Sequence, residues 1–407
     1  MTTTINTNVN SLNAQRNLMA SGGSLATSMQ RLSSGLRVNS AKDDAAGLAI
    51  AERFQGQIKG LSVGARNAND GISLAQTAEG ALGKVGDMLQ RMRELAVQSS
   101  NATNSKADRA ALQAEVSQLT DEVDRIAKQT SFNGRKVLDG TFAGAAFQVG
   151  ANAGDNITVG ALTNSTAKGL ADVAYAFDQT ASAVAASSVS TLSTVAAGSL
   201  TISVTGAAAA VDLGAIAAAT SGSERMGQVV EAINRKSSDT GVTAFLSVND
   251  TGTYRIDLMS EKLDSAGDAA VVTLSAGFTT AITGLTGAAL ASNINATNTT
   301  TDAVGIDTLS IDTQRNAWVA IKKLDAAINQ VNSARAQLGA LQSRFESATG
   351  NIAISVENLS ASRGRIVDAD FASETANLSR TQILQQAGTA MVAQANKLPQ
   401  SVLSLLQ

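Results

Sequence analysis

Apolar residues recur at alternating three- and four-residue spacings over long stretches of this chain, and this pattern restricts the fold more than any other feature of the sequence. The alternation runs from about residue 42 to about residue 99 with one slip, and it includes Phe54, Ile58 and Leu61. Such spacing is typical of helices that pack along a long neighbour. The segment is therefore predicted to form one helix, about 85 Å long at 1.5 Å per residue.

The same spacing predicts further helices at both ends of the chain. One lies within the first 40 residues, which contain no Asp or Glu, and others are predicted at about 106–130 and about 310–363. A last amphipathic helix continues almost to the end of the sequence. Its apolar stripe, called the C-terminal seam below, consists of Leu384, Met391, Leu398, Val402 and Leu405.

The apolar side chains of these predicted helices are mostly small. Apolar residues make up 44% of the 407 residues, but aromatic residues make up only 3%. Because burial contributes roughly 25 cal/mol per Å² of apolar surface, a pair of helices built from Ala, Leu, Ile and Val is held weakly. Such helices gain stability when they are buried against other copies, so the composition favours a self-associating subunit.

The central part of the chain has a different pattern. Asn-Gly and Asp-Gly dipeptides separate short apolar stretches within residues 132–159, which predicts β-hairpins. From about 180 to 301 the chain is rich in Ala, Thr, Ser and Gly, and residues 226–260 predict a helix followed by two strands. The predicted fold class is α plus β and multi-domain, with long paired terminal helices, a helical rod with a β-hairpin, and an inserted β-rich central domain.

The stretch RLSSGLRVNSAKDDAAGLAI, residues 31–50, separates the first helix from the long one. Gly35 and the serines before it are poor helix formers, so the first helix is expected to end there. Ser40 and Asp43 have the spacing of a capping box, which predicts Ser40 as the N-cap of the next helix. The stretch is interpreted as a joint between two helical layers, with a simple kink inside one domain as the alternative.

Charge and residue types argue against several classes of function. The formal net charge is −3, and the 31 basic residues are interspersed with 34 acidic ones, so nucleic acid is not expected as a partner. The absence of Cys and His removes thiolate chemistry, histidine catalysis and most zinc sites. Acidic neighbours such as Asp121 and Glu122 point about 100° apart on a helix and do not converge. We expect no catalytic residue, metal or cofactor.

The sequence also lacks the usual signals for membrane passage. No apolar run approaches the roughly 18 to 20 residues of a membrane span, and the first residues lack the basic start and apolar core of a cleaved signal peptide. We therefore expect no membrane insertion, and secretion would require another route.

Several long motifs resemble bacterial flagellin. They include TINTNVNSLNAQRNL, SMQRLSSGLRVNSAKDDAAGLAIAERF, LQRMRELAVQSSN and, near the end, ILQQAGTAMVAQANKLPQSVLSLLQ. The resemblance covers roughly residues 1–175 and 305–407, and residues 226–260 are similar to a short module of flagellin and hook-associated proteins. It implies a structural protein, not an enzyme, that self-assembles into the extracellular filament used for swimming.

The resemblance also implies a layered subunit. Residues 1–42 with 366–407 are expected to form the filament core. Residues 43–178 with 303–365 are expected to form the helical rod, and residues 179–302 a variable outer domain.

Further partners follow from the resemblance alone. Members of this family are exported unfolded by the flagellar type III route, and the C-terminal seam matches the region bound by their export chaperone. Filament cap and hook-junction proteins are the other expected partners within the flagellum. Host flagellin-sensing receptors are expected to contact Arg91 and Leu95, which lie one helical turn apart, together with Glu115.

Two other kinds of protein remain as alternatives. A hook–filament junction protein shares terminal helices of this type, and a secreted helical surface protein or adhesin would suit the Thr- and Ala-rich centre.

Overall fold

The structure is a computed structural model and describes residues 8–171, 173, 176–177, 183–204, 209–248, 252–260, 262, 270–285 and 305–404. Helices α1 to α8 span, in order, Val9–Ser34, Ala45–Ser99, Lys106–Gln129, Gly222–Arg235, Ser237–Thr240, Thr280–Thr283, Gln314–Val367 and Phe371–Ser404. Strands β1 to β10 span, in order, Ser131–Phe132, Arg135–Lys136, Ala145–Gln148, Asn156–Val159, Ala176–Phe177, Thr201–Val204, Val211–Asp212, Val242–Val248, Tyr254–Ser260 and Val272–Leu274.

The predicted fold class is confirmed: long helices lie towards both ends of the chain and the strands lie between them. Helix α2 contains 55 residues and α7 contains 54, and α2 is as long as the apolar spacing predicts. Helix α1 ends where it was expected to end, because Gly35 adopts a left-handed φ of 70° that favours glycine. Within the described residues, no helix is long and apolar enough to cross a membrane.

The chain divides into two compact units. The first comprises Met1–Gly71, Ala146–Ile157 and Arg344–Gln407, and the second comprises Ile72–Ala145 and Thr158–Ser343. These units do not test the three predicted layers, whose boundaries remain predictions.

In the first unit, glycines on α2 allow the loop after β3 to lie directly on the helix. A Cβ atom added at Gly64 would lie 2.5 Å from the carbonyl oxygen of Val149, and one at Gly60 would lie 3.0 Å from the Cβ of Ala151. The side-chain amide of Asn67 donates to the carbonyl of Gln148 at 2.8 Å. The helix surface and the loop backbone are therefore in contact without an intervening side chain.

The aromatic core of the first unit is centred on Phe345. This side chain is fully buried and meets Phe147 edge to face, with ring centroids 5.5 Å apart. Its ring also occupies the space beside Gly71, where an added Cβ would lie 2.6 Å from Cζ. A single aromatic side chain on α7 thus contacts both β3 and α2.

In the second unit, α2, α3 and α7 are connected by both apolar and polar contacts. Their inward faces bury mainly Leu, Val and Ala side chains, in agreement with the small-residue composition. Gln113 on α3 donates to the carbonyl of Leu309 and accepts from the amide of Ile311, at 3.1 and 2.6 Å. Arg93 on α2 forms an ion pair with Asp325 on α7.

A separate hydrophobic core lies within the described part of residues 184–285. It contains α4, the three-stranded antiparallel sheet β10-β6-β7, and strands β8 and β9. Strand β5, which lies before this range, pairs with β9 and completes a second three-stranded antiparallel sheet. The predicted helix–strand–strand segment is present as α4, β8 and β9, and the two strands pair over seven residues. The helix packs its buried face, which includes Met226, Val229 and Ile233, against this core.

Arg225 is the largest fully buried side chain of that core. Its guanidinium donates to the backbone carbonyls of Ala217, at 3.0 Å, of Leu192, at 2.8 Å, and of Ser193. These hydrogen bonds replace the ones that the charged guanidinium group would make with water if it were exposed. Arg225 therefore connects the loop at residues 192–193 and the loop at residue 217 to the first turn of α4.

Candidate assembly surface on the terminal helices

Helices α1 and α8, the two terminal helices, pack against each other and are joined by polar contacts at both ends. At one end Asn8 caps α1 by accepting from the amide of Ser11, and its side chain donates to the carbonyl of Ala395 at 2.7 Å. The hydroxyl of Ser11 donates to Asn396 at 2.7 Å. At the other end Arg31 lies 3.9 Å from the largely buried Glu374. These contacts fix which residues of the two helices are neighbours.

Apolar side chains nevertheless remain exposed on this pair. Within the described residues, thirteen large apolar side chains are exposed, and eight of them lie on the two terminal helices. These eight, called the terminal apolar set, are Val9, Leu12, Met19, Met29, Phe371, Ile383, Leu384 and Met391. Contiguous exposed apolar surface in a soluble protein usually marks a binding surface.

A groove of about 690 Å³ runs between the two helices. Leu18 and several asparagines of α1 line one side, and Leu384, Gly388 and Met391 of α8 line the other. A Cβ atom added at Gly388 would lie 3.1 Å from Leu18, so the glycine allows the helices to approach each other here. The groove is lined mostly by apolar surface, which suits burial against another helix.

The structure describes only part of the C-terminal seam. Leu384 and Met391 are exposed on α8, as a binding stripe requires. Leu398 and Val402 lie within the helix, but their side chains are outside the described set, and Leu405 lies outside the described residues. Contacts of the last three side chains therefore stay a prediction.

Within the predicted joint at residues 31–50, residues 35–38 lie beside the connection between α7 and α8. The amides of Arg37 and Val38 donate to the carbonyl of Val367, at 2.7 and 3.4 Å, and the amide of Ala369 donates to the carbonyl of Gly35 at 2.9 Å. The Arg37 guanidinium adds a 2.6 Å bond to the carbonyl of Ile366. The N- and C-terminal chain segments thus leave their terminal helices at the same level.

The predicted cap of α2 is corrected by one turn. Ser40 and Asp43 are in contact: the Asp43 carboxylate accepts from the amide and hydroxyl of Ser40, at 2.9 and 3.0 Å, and these bonds lower the pKa of Asp43. They form a turn before the helix, however, and α2 begins at Ala45. Asp44 is the N-cap, because its side chain accepts from the amide of Gly47 at 2.8 Å. A reciprocal capping box is present elsewhere, at Ser105 and Asp108 of α3.

Arg91 and Glu115 form an exposed ion pair between α2 and α3. Their Nε and Oε1 atoms are 2.9 Å apart, and Arg91 also donates to Glu94 at 3.0 Å. Hydrogen bonds to Glu115 and then to Glu94 raise the pKa of Arg91. Leu95 differs from the expectation of a shared exposed face, because only 1% of it is exposed and it belongs to the core of the second unit. The exposed feature here is therefore a charged cluster without the apolar contact.

Taken together, this geometry is suited to helix–helix association. Within the described residues, no group of three acidic side chains is placed to hold a metal ion. The terminal helices, in contrast, expose eight large apolar side chains, and hydrogen bonds fix the neighbouring residues of the two helices and the joint beside them. The class that these features define is a long-helical structural subunit that leaves apolar surface exposed on its terminal helices.

Comparisons with known proteins identify the family. Residues 5–143 match the bacterial flagellin N-terminal helical region, residues 321–406 the C-terminal helical region, and residues 199–262 the flagellin hook IN motif. The chain is 38% identical to B-type flagellin of Pseudomonas aeruginosa and 41% identical to Flagellin A of Vibrio anguillarum, with 100% of both chains covered in each case. The chain is also similar to FliC of Burkholderia pseudomallei, with 26% identity, coverage of 67% of this chain and 99% of that chain, and a TM-score of 0.37.

The chain belongs to the bacterial flagellin family and is a subunit of the flagellar filament. The flagellin interpretation of the sequence is confirmed, and the matches do not favour a junction protein or an adhesin. The similarity of the central segment to a flagellin module is confirmed by the match at residues 199–262.

Proposed function

We propose that the terminal helices α1 and α8 hold the filament together by burying the terminal apolar set against neighbouring copies. The observation that carries this proposal is the concentration of exposed large apolar side chains on these two helices. Burying the exposed part of each side chain contributes on the order of 1 kcal/mol. Eight such residues per subunit offset the entropy lost on association, which weak pairs of small-residue helices alone would not.

In this proposal the subunit has three layers. Residues 1–42 with 366–407 form the innermost layer, residues 43–178 with 303–365 the rod around it, and residues 179–302 the outer domain. The backbone bonds between Gly35 and Ala369 and between Arg37 and Val367 support a boundary at this level, because they lie where α1 ends and α8 begins.

The assembly proposal is tested by placing a charge in the terminal apolar set. We expect Leu12→Glu and Ile383→Glu to prevent extension of filament seeds, because each repeated contact would bury an unpaired carboxylate. Val248→Glu is the matched control, since Val248 is equally exposed but lies on β8 in the central region. Electron microscopy and sedimentation after seeding measure assembly, and circular dichroism verifies the fold.

The outcome of this test is unambiguous. If Leu12→Glu and Ile383→Glu extend seeds as the unmodified chain does, the terminal helices do not make the assembly contacts. Removal of residues 1–40 is the coarser version of the same experiment and is expected to abolish extension.

The proposed route to the filament is unfolded export through the flagellar type III apparatus, with the C-terminal seam held by an export chaperone. Exposure of Leu384 and Met391 in the subunit supports this, because a chaperone would cover them before export. Titration calorimetry with the chaperone tests it. Leu384→Glu is expected to weaken binding and Val248→Glu to leave it unchanged, and equal affinities would contradict the proposal. We also propose the filament cap and the hook-junction proteins as partners within the flagellum. The proposed role is extracellular and structural, without enzymatic activity.

For the host receptor, we propose contact through Arg91 and Glu115, with Leu95 acting only through packing. Both charged side chains are exposed, whereas Leu95 is buried. In receptor-reporter cells we expect Arg91→Ala to reduce signalling by folded monomer and Arg93→Ala to be neutral, since Arg93 pairs with Asp325 instead. Signalling unchanged by Arg91→Ala would contradict this assignment.

A further inference from the structure

Methionines of the described residues divide sharply by exposure. Met19, Met29 and Met391 are 77%, 57% and 62% exposed, and all three lie on the terminal helices. Met92, Met226 and Met259 are at most 2% exposed and lie in the second unit. Met88, also in the second unit, is partly buried. The exposed thioethers are thus confined to the helices to which we assign assembly.

An exposed thioether reacts with peroxides. The sulfur lone pair attacks one peroxide oxygen, the O–O bond breaks, and an S–O bond forms while the other oxygen leaves as water. Sulfur loses two electrons to the peroxide, and methionine becomes methionine sulfoxide. Because the rate follows the exposure of the sulfur, Met19, Met29 and Met391 are the reactive set and the buried methionines are not.

The position of these residues gives the reaction a consequence. Met391 lines the apolar groove between α1 and α8 beside Leu384, and Met19 and Met29 are exposed on α1 outside the lining of that groove. A sulfoxide is polar and chiral, and burying its oxygen in an apolar contact without a donor is costly. The same side chain therefore favours burial when reduced and opposes it when oxidised.

We propose that Met19, Met29 and Met391 form an oxidation site that controls assembly: peroxide converts them to sulfoxides in the free subunit and blocks its addition to a filament. This rests on the proposed burial of the terminal apolar set during assembly. Once a subunit is in the filament, its neighbours cover the three sulfurs and protect them. The sensitive species is thus the unassembled subunit.

The first experiment measures oxidation residue by residue. Folded monomers and filaments of the full chain are exposed to hydrogen peroxide and quantified by peptide mass spectrometry, with Met92, Met226 and Met259 as internal standards. In monomers we expect Met19, Met29 and Met391 to oxidise at least about tenfold faster than the standards. In filaments we expect the three rates to fall to those of the standards, and undiminished rates would overturn the proposal.

The second experiment measures assembly. Oxidised monomers are expected to extend seeds at least about tenfold more slowly than untreated ones, and methionine sulfoxide reductase is expected to restore the rate. The variant Met19→Leu/Met29→Leu/Met391→Leu conserves apolar volume and is expected to be insensitive to peroxide. Single Met→Leu variants, each expected to lose part of the sensitivity, replace the triple variant if it assembles poorly.

The outcomes separate the two proposals. Normal extension by oxidised subunits, or equal peroxide sensitivity of the leucine variants, overturns the oxidation site. Normal extension by Leu12→Glu and Ile383→Glu overturns the assembly surface on which it rests.

Discussion

The close contact between Gly64 on α2 and the loop at Val149 makes a quantitative prediction. In Gly64→Ala, the new Cβ would lie 2.5 Å from the Val149 carbonyl oxygen and 2.7 Å from its carbon. Both partners are backbone atoms, so the strain cannot be relieved by a side-chain rotation and the loop after β3 must move away from α2. Gly56→Ala is a matched control, because nothing lies within 4 Å of its added Cβ.

The magnitude follows from two opposing effects. Replacing a glycine by alanine inside a helix stabilises the helix by about 0.5–1 kcal/mol, and this effect is common to both variants. Overpacking against a fixed neighbour costs about 1–3 kcal/mol, and this effect is confined to Gly64→Ala. We therefore expect the unfolding free energies of the two variants to differ by about 1–3 kcal/mol, with Gly56→Ala the more stable.

Native-state hydrogen exchange of the monomer measures this difference where it arises. The amide of Val149 donates to the carbonyl of Asp155 at 2.9 Å and is protected while the hairpin is folded. A difference of about 1–3 kcal/mol corresponds to roughly 5- to 150-fold faster exchange in Gly64→Ala than in Gly56→Ala. If Gly64→Ala instead slows exchange as much as Gly56→Ala does, the close backbone contact is not what makes glycine necessary.

Three further predictions concern polar groups. Arg225→Met removes the donor to three backbone carbonyls and is expected to destabilise the central core by about 1–3 kcal/mol, measured by thermal unfolding with the exposed Arg235→Met as control. Asp44→Ala is expected to cost about 1 kcal/mol in urea unfolding, and Ser40→Ala less, because Asp44 caps α2; the reverse order would restore Ser40 as the cap. Hydrogen bonds from Ser105 lower the pKa of Asp108, so its stabilisation of α3 is present above the unfolded pKa of about 3.9 and is lost as the pH falls below it; in Ser105→Ala, NMR titration should find the Asp108 pKa closer to that ordinary value.

Much of the helical architecture could be predicted because the apolar spacing repeats many times, so a few residues that break the pattern do not obscure it. The apolar spacing of α2 continues through 55 residues, so isolated glycines within it do not hide the pattern. The turn at Asn133 and Gly134 could also be predicted, since both residues adopt positive φ, at 48° and 79°, in a hairpin of strands β1 and β2.

Individual side chains were harder to place because their surroundings come from distant segments. Leu95 and Arg91 lie one turn apart on α2, yet only one is exposed, because the exposed arc of a packed helix is narrower than the spacing rule assumes. Arg225 gave no signal of burial, since its three acceptors are carbonyls 8 to 33 residues away in the chain. The cap shifted from Ser40 to Asp44 because both residues are good N-caps and the sequence alone does not rank them.

The joint at Gly35 also has a consequence for how freely its sequence can change. Three of its four cross-links join one backbone to the other, through the amides of Arg37, Val38 and Ala369. Such bonds are indifferent to the side chain, so most substitutions leave them in place. Proline is the exception because it lacks the amide hydrogen. Relatives can therefore diverge in the side chains of this region and keep the same connection, provided that Gly35 is retained and no proline replaces these donors.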